Sequence, residues 1–393
     1  MRGTFGQHAK AYLNKLQNKL FGVIHLKTGA PVRKGDVLLS FMNDPFTLAP
    51  GEFFTDPHPN YWAIEEIARI FLARGYNVDS INWDDRKFIP KKKYAVCVDM
   101  QYNLERMSKY LPKNCVKIMH IVASYPEFQN KAENERILAL EKRKGVKLSA
   151  KRADPLTSNP AAADFIEGYG NKTVHGTYRK FGKEIFPIPV PAMDTYDFPE
   201  NKDFEKAKKH FLWFGGGGAV LKGLDLVVEA FAELPHLNLT IIGPAAFEKD
   251  FEKIYGRELN LPNISRHGRP HVNKKGEIKI NGRDLSSFFN ECAATVYMSA
   301  SEGGGGATVH AMQAGLVPIV TLNTGINERA PSVVVSEPTV ENIKKAVEEF
   351  ASTPAERIRE MSKSAWSFAR EHHTKEAFTR KYEKFLDNIV KLK

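Results

Sequence analysis

Cysteine is scarce in this chain of 393 residues: only Cys97, Cys115 and Cys292 occur, far apart and in or beside apolar runs. That spacing fits neither a disulfide framework nor a zinc site, and a reducing compartment suits it best. Long apolar runs are also missing. No stretch reaches the roughly 18 to 20 uninterrupted apolar residues that span a bilayer, and the first residues lack the apolar core and small-residue site of a cleavable signal. The expectation is a cytoplasmic protein that is neither integral nor secreted. No Asp-x-Asp occurs, and the adjacent His372 and His373 on an expected helix would point about 100° apart, a poor chelate. No metal is expected, and no nucleic-acid-binding signature is found.

What is present is an ordinary globular composition, 42% hydrophobic and 26% charged, in a chain too long for one core, so two domains are expected. The formal charge of +11 favours an anionic partner such as a nucleotide diphosphate or an acidic lipid surface. Part of that charge lies near the start, where Lys10, Lys15 and Lys19 alternate with Tyr12, Leu13, Leu16, Leu20 and Phe21. At helical spacing, residues 9–21 collect the apolar side chains on one face. The helix either packs on its own domain or lies on a membrane surface.

From Val37 onward a short apolar run, a loop and an amphipathic helix alternate, the pattern of a parallel sheet covered by helices. Strands are expected at VLLSFM (37–42), 77–83, YAVCVD (94–99), VKIMHIV (116–122) and VKLSA (146–150), with a helix from residue 60 that stops at Gly75. Four prolines between residues 187 and 200 break the pattern and mark a boundary. A second series follows: HFLWFG (210–215), a helix over 221–234, LNLTIIG (237–243), ATVYMSA (294–300), a helix over 307–315 and VPIVTL (317–322). Helices over 354–393 close the chain. Ligands of such sheets sit beyond the carboxyl ends of the strands, so the motifs should lie on strand-to-helix loops.

Two glycine loops occupy such places. The first holds Gly215, Gly216, Gly217 and Gly218, followed by Lys222 and Gly223. Glycines admit close backbone approach, amides at a helix start attract an anion, and the lysine adds a full charge, which suits a diphosphate. It is not a dinucleotide fingerprint, because Val220 or Leu221 stands where the third glycine belongs. Nor is it an ATPase phosphate loop, because Leu224 stands where lysine must follow Gly223. The second loop runs Ser301, Glu302, Gly303, Gly304, Gly305, Gly306, Ala307. Its amides suit phosphate or sugar oxygens, and Glu302 is an acceptor for sugar hydroxyls.

Residues 211–320 resemble the retaining glycosyltransferases of the GT-B fold, especially glycosyltransferase family four. The resemblance rests on Gly215, Lys222-Gly223 opening LDLVVEAFAEL, TIIG, and then Ser301, Glu302-Gly303, Gly305 and AMQAGLVP. Weaker similarity covers Arg-Gly-Tyr (74–76), His120 at a strand end and the helices of the tail. Two departures stand out. The family's second glutamate, associated with the donor ribose, is here His310, and its phosphate-binding arginine is Gly216, for which the loop amides, Arg266 or Arg269 are candidate replacements. The family's glycine pair after the first strand is also absent, replaced by the loop 44–60.

The resemblance implies an α/β protein of GT-B architecture: a basic extension (1–36), a Rossmann-like acceptor-side domain (37–195), a Rossmann-like donor domain (205–355), and helices (356–393) that cross back to the first domain. It implies transfer of a sugar, with retention, from a nucleotide-diphosphate-sugar to a glycan or lipid-linked acceptor in polysaccharide or glycoconjugate biosynthesis, without cofactor. Lys222 and the first loop would hold the diphosphate, and Glu302 the sugar hydroxyls. His120 would reach the sugar from the opposite domain, and residues 303–307 with His310 would complete the donor site. His58, between two prolines, is a candidate acceptor contact. The alternatives are a nucleotide-sugar epimerase on the same fold and a degenerate binding protein without turnover. Contact with an anionic inner membrane face is a further expectation, and nucleic acid is not.

Overall fold

The computed structural model describes residues 22–48, 52 and 54–391; the amphipathic segment 9–21 lies outside them. The first sheet contains β1 (Ile24–Leu26), β2 (Gly35–Phe41), β3 (Tyr76–Asn82), β4 (Tyr94–Asp99), β5 (Val116–Ile121), β6 (Phe165–Gly168) and β7 (Ile185–Pro187). Their order is β1-β3-β2-β4-β5-β6-β7, parallel except for β1, which pairs antiparallel with β3. Helices cover both faces, which is why central strands read as unbroken apolar text: Val37, Leu38, Leu39 and Phe41 are all fully buried.

Two details differ from the sequence expectation. Residues 24–26, within the stretch taken as an extension, form the edge strand β1. VKLSA (146–150) is not a strand: only Leu148 is partly buried, against the core, while its neighbours are exposed, Val146 by 43%. The sheet continues instead through FIEG (β6), a run too short and too mixed to stand out in the sequence.

Helix α1 (Pro59–Ala73) begins at His58, whose Nδ1 accepts a hydrogen bond from the Asn60 amide at 3.2 Å, with Pro59 in the first turn. It ends before Gly75, where φ is +91° and a Cβ would meet the Val32 carbonyl oxygen at 2.6 Å. Helix α2 (Pro126–Lys144) is mostly polar because it bridges the two sheets rather than burying one face in either. Arg136 donates to the Met298 carbonyl at 2.7 Å, Arg143 pairs with Asp225 at 2.6 Å, and Lys144 with Glu258 at 3.0 Å.

The second half adds β8 (His210–Phe214), β9 (Asn238–Ile242), β10 (Ile264–His267), β11 (His271–Val272), β12 (Ile278–Ile280), β13 (Arg283–Asp284), β14 (Ala294–Tyr297), β15 (Val317–Val320) and β16 (Val333–Val334). Six of them form a parallel sheet, β10-β9-β8-β14-β15-β16, and β11-β12-β13 form a small antiparallel insert. Helices α3 (Leu224–Ala232) and α4 (Gly306–Gln313) follow β8 and β14. Strand order reverses between β2 and β4 in one sheet and between β8 and β14 in the other. Both crevices open at strand carboxyl ends, where ligands of such sheets bind.

Helices α5 (Ala355–His372) and α6 (Lys375–Lys391) complete the chain, and α6 lies on the first sheet's side. Phe378 packs edge-on to Trp62 at 5.5 Å, Thr379 donates to Glu66 at 2.6 Å, and Arg74 pairs with Asp387 at 2.7 Å. Phe378 is fully buried and Asp387 is mostly exposed. Phe378→Ala is therefore expected to lower unfolding free energy by about 3 to 5 kcal/mol in urea titration. Asp387→Ala should cost less than about 1 kcal/mol.

Candidate functional site

The two crevices face each other across a cleft of roughly 560 Å³, within the usual range for a small-molecule site. Its walls come from both halves: Met100, Gln101 and Tyr102 after β4, Val122 and Ala123 after β5, residues 215–217 after β8, and residues 301–307 after β14.

Lys222 and Glu302 meet at the centre. Lys222 does not lie in a helix, because α3 begins only at Leu224; it sits in a turn whose amide bonds back to the Gly218 carbonyl at 3.0 Å. Gly223 lets that turn form: its φ is +70°, and a Cβ there would lie 2.3 Å from the Met298 carbonyl oxygen. The Lys222 ammonium donates to Glu302 Oε1, which also accepts the Tyr297 hydroxyl at 2.8 Å. Burial pushes the Glu302 carboxyl up, but Lys222, Tyr297 and Arg152 outweigh it and hold it below the ordinary carboxylate range. Burial lowers the Lys222 ammonium, Glu302 opposes that shift and Arg152 adds to it. The pair is thus confined by its own partners.

The glycines of the second loop serve close packing between the halves. A Cβ at Gly303 would lie 1.9 Å from the Val122 carbonyl oxygen. One residue earlier, the Glu302 carbonyl accepts hydrogen bonds from the Ser124 amide at 3.1 Å and hydroxyl at 3.0 Å. Gly305 takes a left-handed conformation at the start of α4. Among the described residues the amides of Gly303, Gly304 and Gly305 have no acceptor, so they remain available to a ligand. In the first loop, the Gly218 amide is already bonded to Glu248 Oε1 at 2.5 Å, while those of Gly216 and Gly217 are not engaged.

Residues 197–367 match the family model described as glycosyl transferases group 1. That segment, the C-terminal sheet and its loops, is similar to the glycosyltransferases of the group. The chain's architecture is that of GT-B glycosyltransferases, two Rossmann-like domains facing a cleft. The solved structure of HepE from Anabaena in complex with UDP and glucose aligns at TM-score 0.56 and 10% identity, over 90% of this chain and 99% of that one. TarM of S. aureus, in complex with Fondaparinux, alpha-GlcNAc-glycerol and UDP, aligns at TM-score 0.52 and 12% identity, over 73% of this chain. The alignment covers 54% of TarM, so the chain spans about half its length. The N-terminal domain of Candida albicans trehalose-6-phosphate phosphatase also aligns, at TM-score 0.51 and 10% identity, over 76% of this chain and 70% of that one. No curated protein matches the chain.

The three candidate histidines have different fates. His58 borders the cleft, edge-on to Tyr61 at 6.2 Å, and enclosure by the cleft walls holds its pKa below the ordinary value. His310 also borders the cleft, but its Nε2 lies 3.0 Å from the Tyr196 hydroxyl and its ring stacks on Tyr196. Its hydrogen bonding is thus directed at the segment joining the two sheets. His120 does not reach the cleft. It is fully buried, its Nδ1 is 2.9 Å from both Glu167 oxygens, and Phe41 and Tyr169 flank its ring. A direct sugar contact from His120 is therefore corrected: Tyr169, which does line the cleft, stands in front of it.

The two candidate arginines part ways. Arg266 is held by Glu252 at 2.6 Å and does not line the cleft; Arg269 does, paired with Asp56 at 3.1 Å. Arg152 lines the cleft from the opposite domain, in a stretch whose sequence carried no motif. Tyr297 was hidden in plain strand text. No three His, Cys, Asp or Glu side chains cluster as a metal would require among the described residues, and no helix there is long and apolar enough to cross a membrane.

Burial holds the pKa of His310 at about 4, and that of His373, whose Nδ1 faces the Val190 carbonyl, also at about 4. A folded pKa below the unfolded value of 6.5 gives a contribution complete above pH 6.5 and lost as pH falls towards 4. His310→Gln should remove about 3 kcal/mol of the stability lost between those pH values, as read by urea unfolding.

Proposed function

We propose that the chain transfers a hexose, with retention of configuration, from a nucleotide-diphosphate-sugar to a glycan or lipid-linked acceptor in polysaccharide or glycoconjugate biosynthesis. The observation that carries this reading is the Lys222–Glu302–Tyr297 cluster, set between two glycine loops at the switch point of the second sheet. The UDP complexes of HepE and TarM, in proteins of the same fold, support a nucleotide-sugar as donor.

In the proposed reaction the bond from the anomeric carbon to the diphosphate oxygen breaks, leaving a short-lived oxocarbenium-like species. The acceptor oxygen bonds to that carbon on the same face, and its proton passes to the departing diphosphate. No protein nucleophile takes part. Lys222 and the amides of Gly216 and Gly217 stabilise charge on the diphosphate, and Glu302 accepts from sugar hydroxyls, trading its bond with Lys222 for one with substrate. The scheme calls on no cofactor or metal. Acceptor contact is assigned to His58 and the loop before it, and His310 to the ribose side of the donor. The reaction is placed in the cytoplasm or at the inner face of the membrane, where lipid-linked acceptors lie.

A ligand-induced thermal-shift screen of nucleoside diphosphates and their sugars tests the donor site, since binding to the folded state raises apparent stability. One nucleotide-sugar should stabilise the wild type but not Lys222→Ala or Glu302→Gln. Turnover of Lys222→Ala should fall by roughly a hundred- to a thousandfold. Donor conversion without acceptor would replace the transferase reading by an epimerase. Binding without transfer to any acceptor would replace it by a binding protein.

A further inference from the structure

A nucleoside diphosphate ester brings two negative charges, and the cations bordering the cleft are mostly spent. Lys222 is paired with Glu302, Arg269 with Asp56 at 3.1 Å, and Lys151 with Asp250 at 2.6 Å. Arg152 differs: among the described residues its guanidinium has neither a hydrogen bond nor an ion pair.

Its backbone, by contrast, is firmly held. The Glu133 carboxylate of α2 accepts the Lys151 amide at 2.7 Å and the Arg152 amide at 3.0 Å, and Gln129 donates to the Arg152 carbonyl at 2.6 Å. Two residues on, Asn130 bonds both the amide and the carbonyl of Asp154, at 2.9 and 2.7 Å. The Arg152 stem then crosses to the other domain and lies against the first glycine loop, so close that a Cβ at Gly218 would meet Arg152 Cγ at 2.7 Å. Its charge is felt by Lys222, Glu302 and Tyr297 alike.

We propose that Arg152, carried by the N-terminal domain, is the second cation for the donor diphosphate, completing across the cleft a site whose C-terminal half presents only cations already paired, Lys222 and Arg269. The assignment rests on the donor reading given under Proposed function. Guanidinium offers a planar fork of donors that matches phosphate oxygens, and a scaffold holding its backbone while leaving its head unpaired suits a ligand rather than the fold. Because the cation comes from the domain opposite the glycine loops, a bound diphosphate also ties the two domains together, and its release loosens them.

Calorimetric titration with UDP, GDP and ADP, each beside its monophosphate, tests this at two salt concentrations. The wild type should prefer one diphosphate over its monophosphate. Arg152→Ala should weaken that diphosphate by roughly tenfold to a hundredfold, leave the monophosphate unchanged, and flatten the salt dependence. Arg152→Lys should restore part of the loss, and Lys142→Ala, an exposed charge on α2, none of these effects. Arg152 is exposed, so both of its variants should melt near the wild type. An Arg152→Ala variant that keeps the wild-type diphosphate preference and salt dependence would overturn the assignment and leave the donor site standing. A wild type that binds none of these nucleotides would remove both.

Discussion

The ion pair between Lys222 and Glu302 is the contact around which the cleft is organised. It joins the carboxyl ends of β8 and β14, the two strands that flank the switch point of the second sheet. A buried pair of this kind is seldom retained for stability alone, since desolvating both charges offsets much of their attraction. Its presence at a ligand crevice, with Tyr297 as a third partner and bare amides on either side, makes chemical sense for a site that must receive charge.

The second constraint is the seam between domains. Gly303 meets Val122 backbone to backbone, Ser124 bonds the Glu302 carbonyl, and α2 lays Arg136, Arg143 and Lys144 onto the C-terminal half. The loop carrying Glu302 is thus shared by both domains, so movement between them is felt at the site. The joining segment is fastened in the same way: Tyr196 stacks on His310 and accepts from Trp366 at 2.8 Å, and the Ala192 amide bonds to the His373 carbonyl at 2.9 Å. His310 therefore serves the connection between domains as well as the cleft wall.

Much of the fold was legible because parallel strands buried on both faces have a plain sequence signature. The runs at 37–42, 94–99, 116–122 and 210–215 each coincide with a central strand, and after Pro187 ends β7 the other three prolines of 187–200 fall between the two sheets. The short elements were not legible. β1, β6 and the insert β11-β12-β13 are two to four residues each, too short to show a period, and they exist because a neighbour offers free hydrogen-bonding groups. The run 146–150 misled for the opposite reason: its apolar residues alternate with Lys147 and Ser149, but it joins neither sheet.

By itself, the sequence determined the chemistry of the C-terminal loops, because glycine runs, Lys222 and Glu302 lie within segments whose spacing is local. The tertiary structure alone decided what meets them. It directed His120 onto Glu167 and away from the cleft, His310 onto Tyr196, and Arg266 onto Glu252, while bringing Arg152 across from just beyond the run that reads as a strand. Such partnerships depend on how strands, helices and the two sheets are set against each other, and partners 14 to 114 positions apart meet only when the chain has closed on itself.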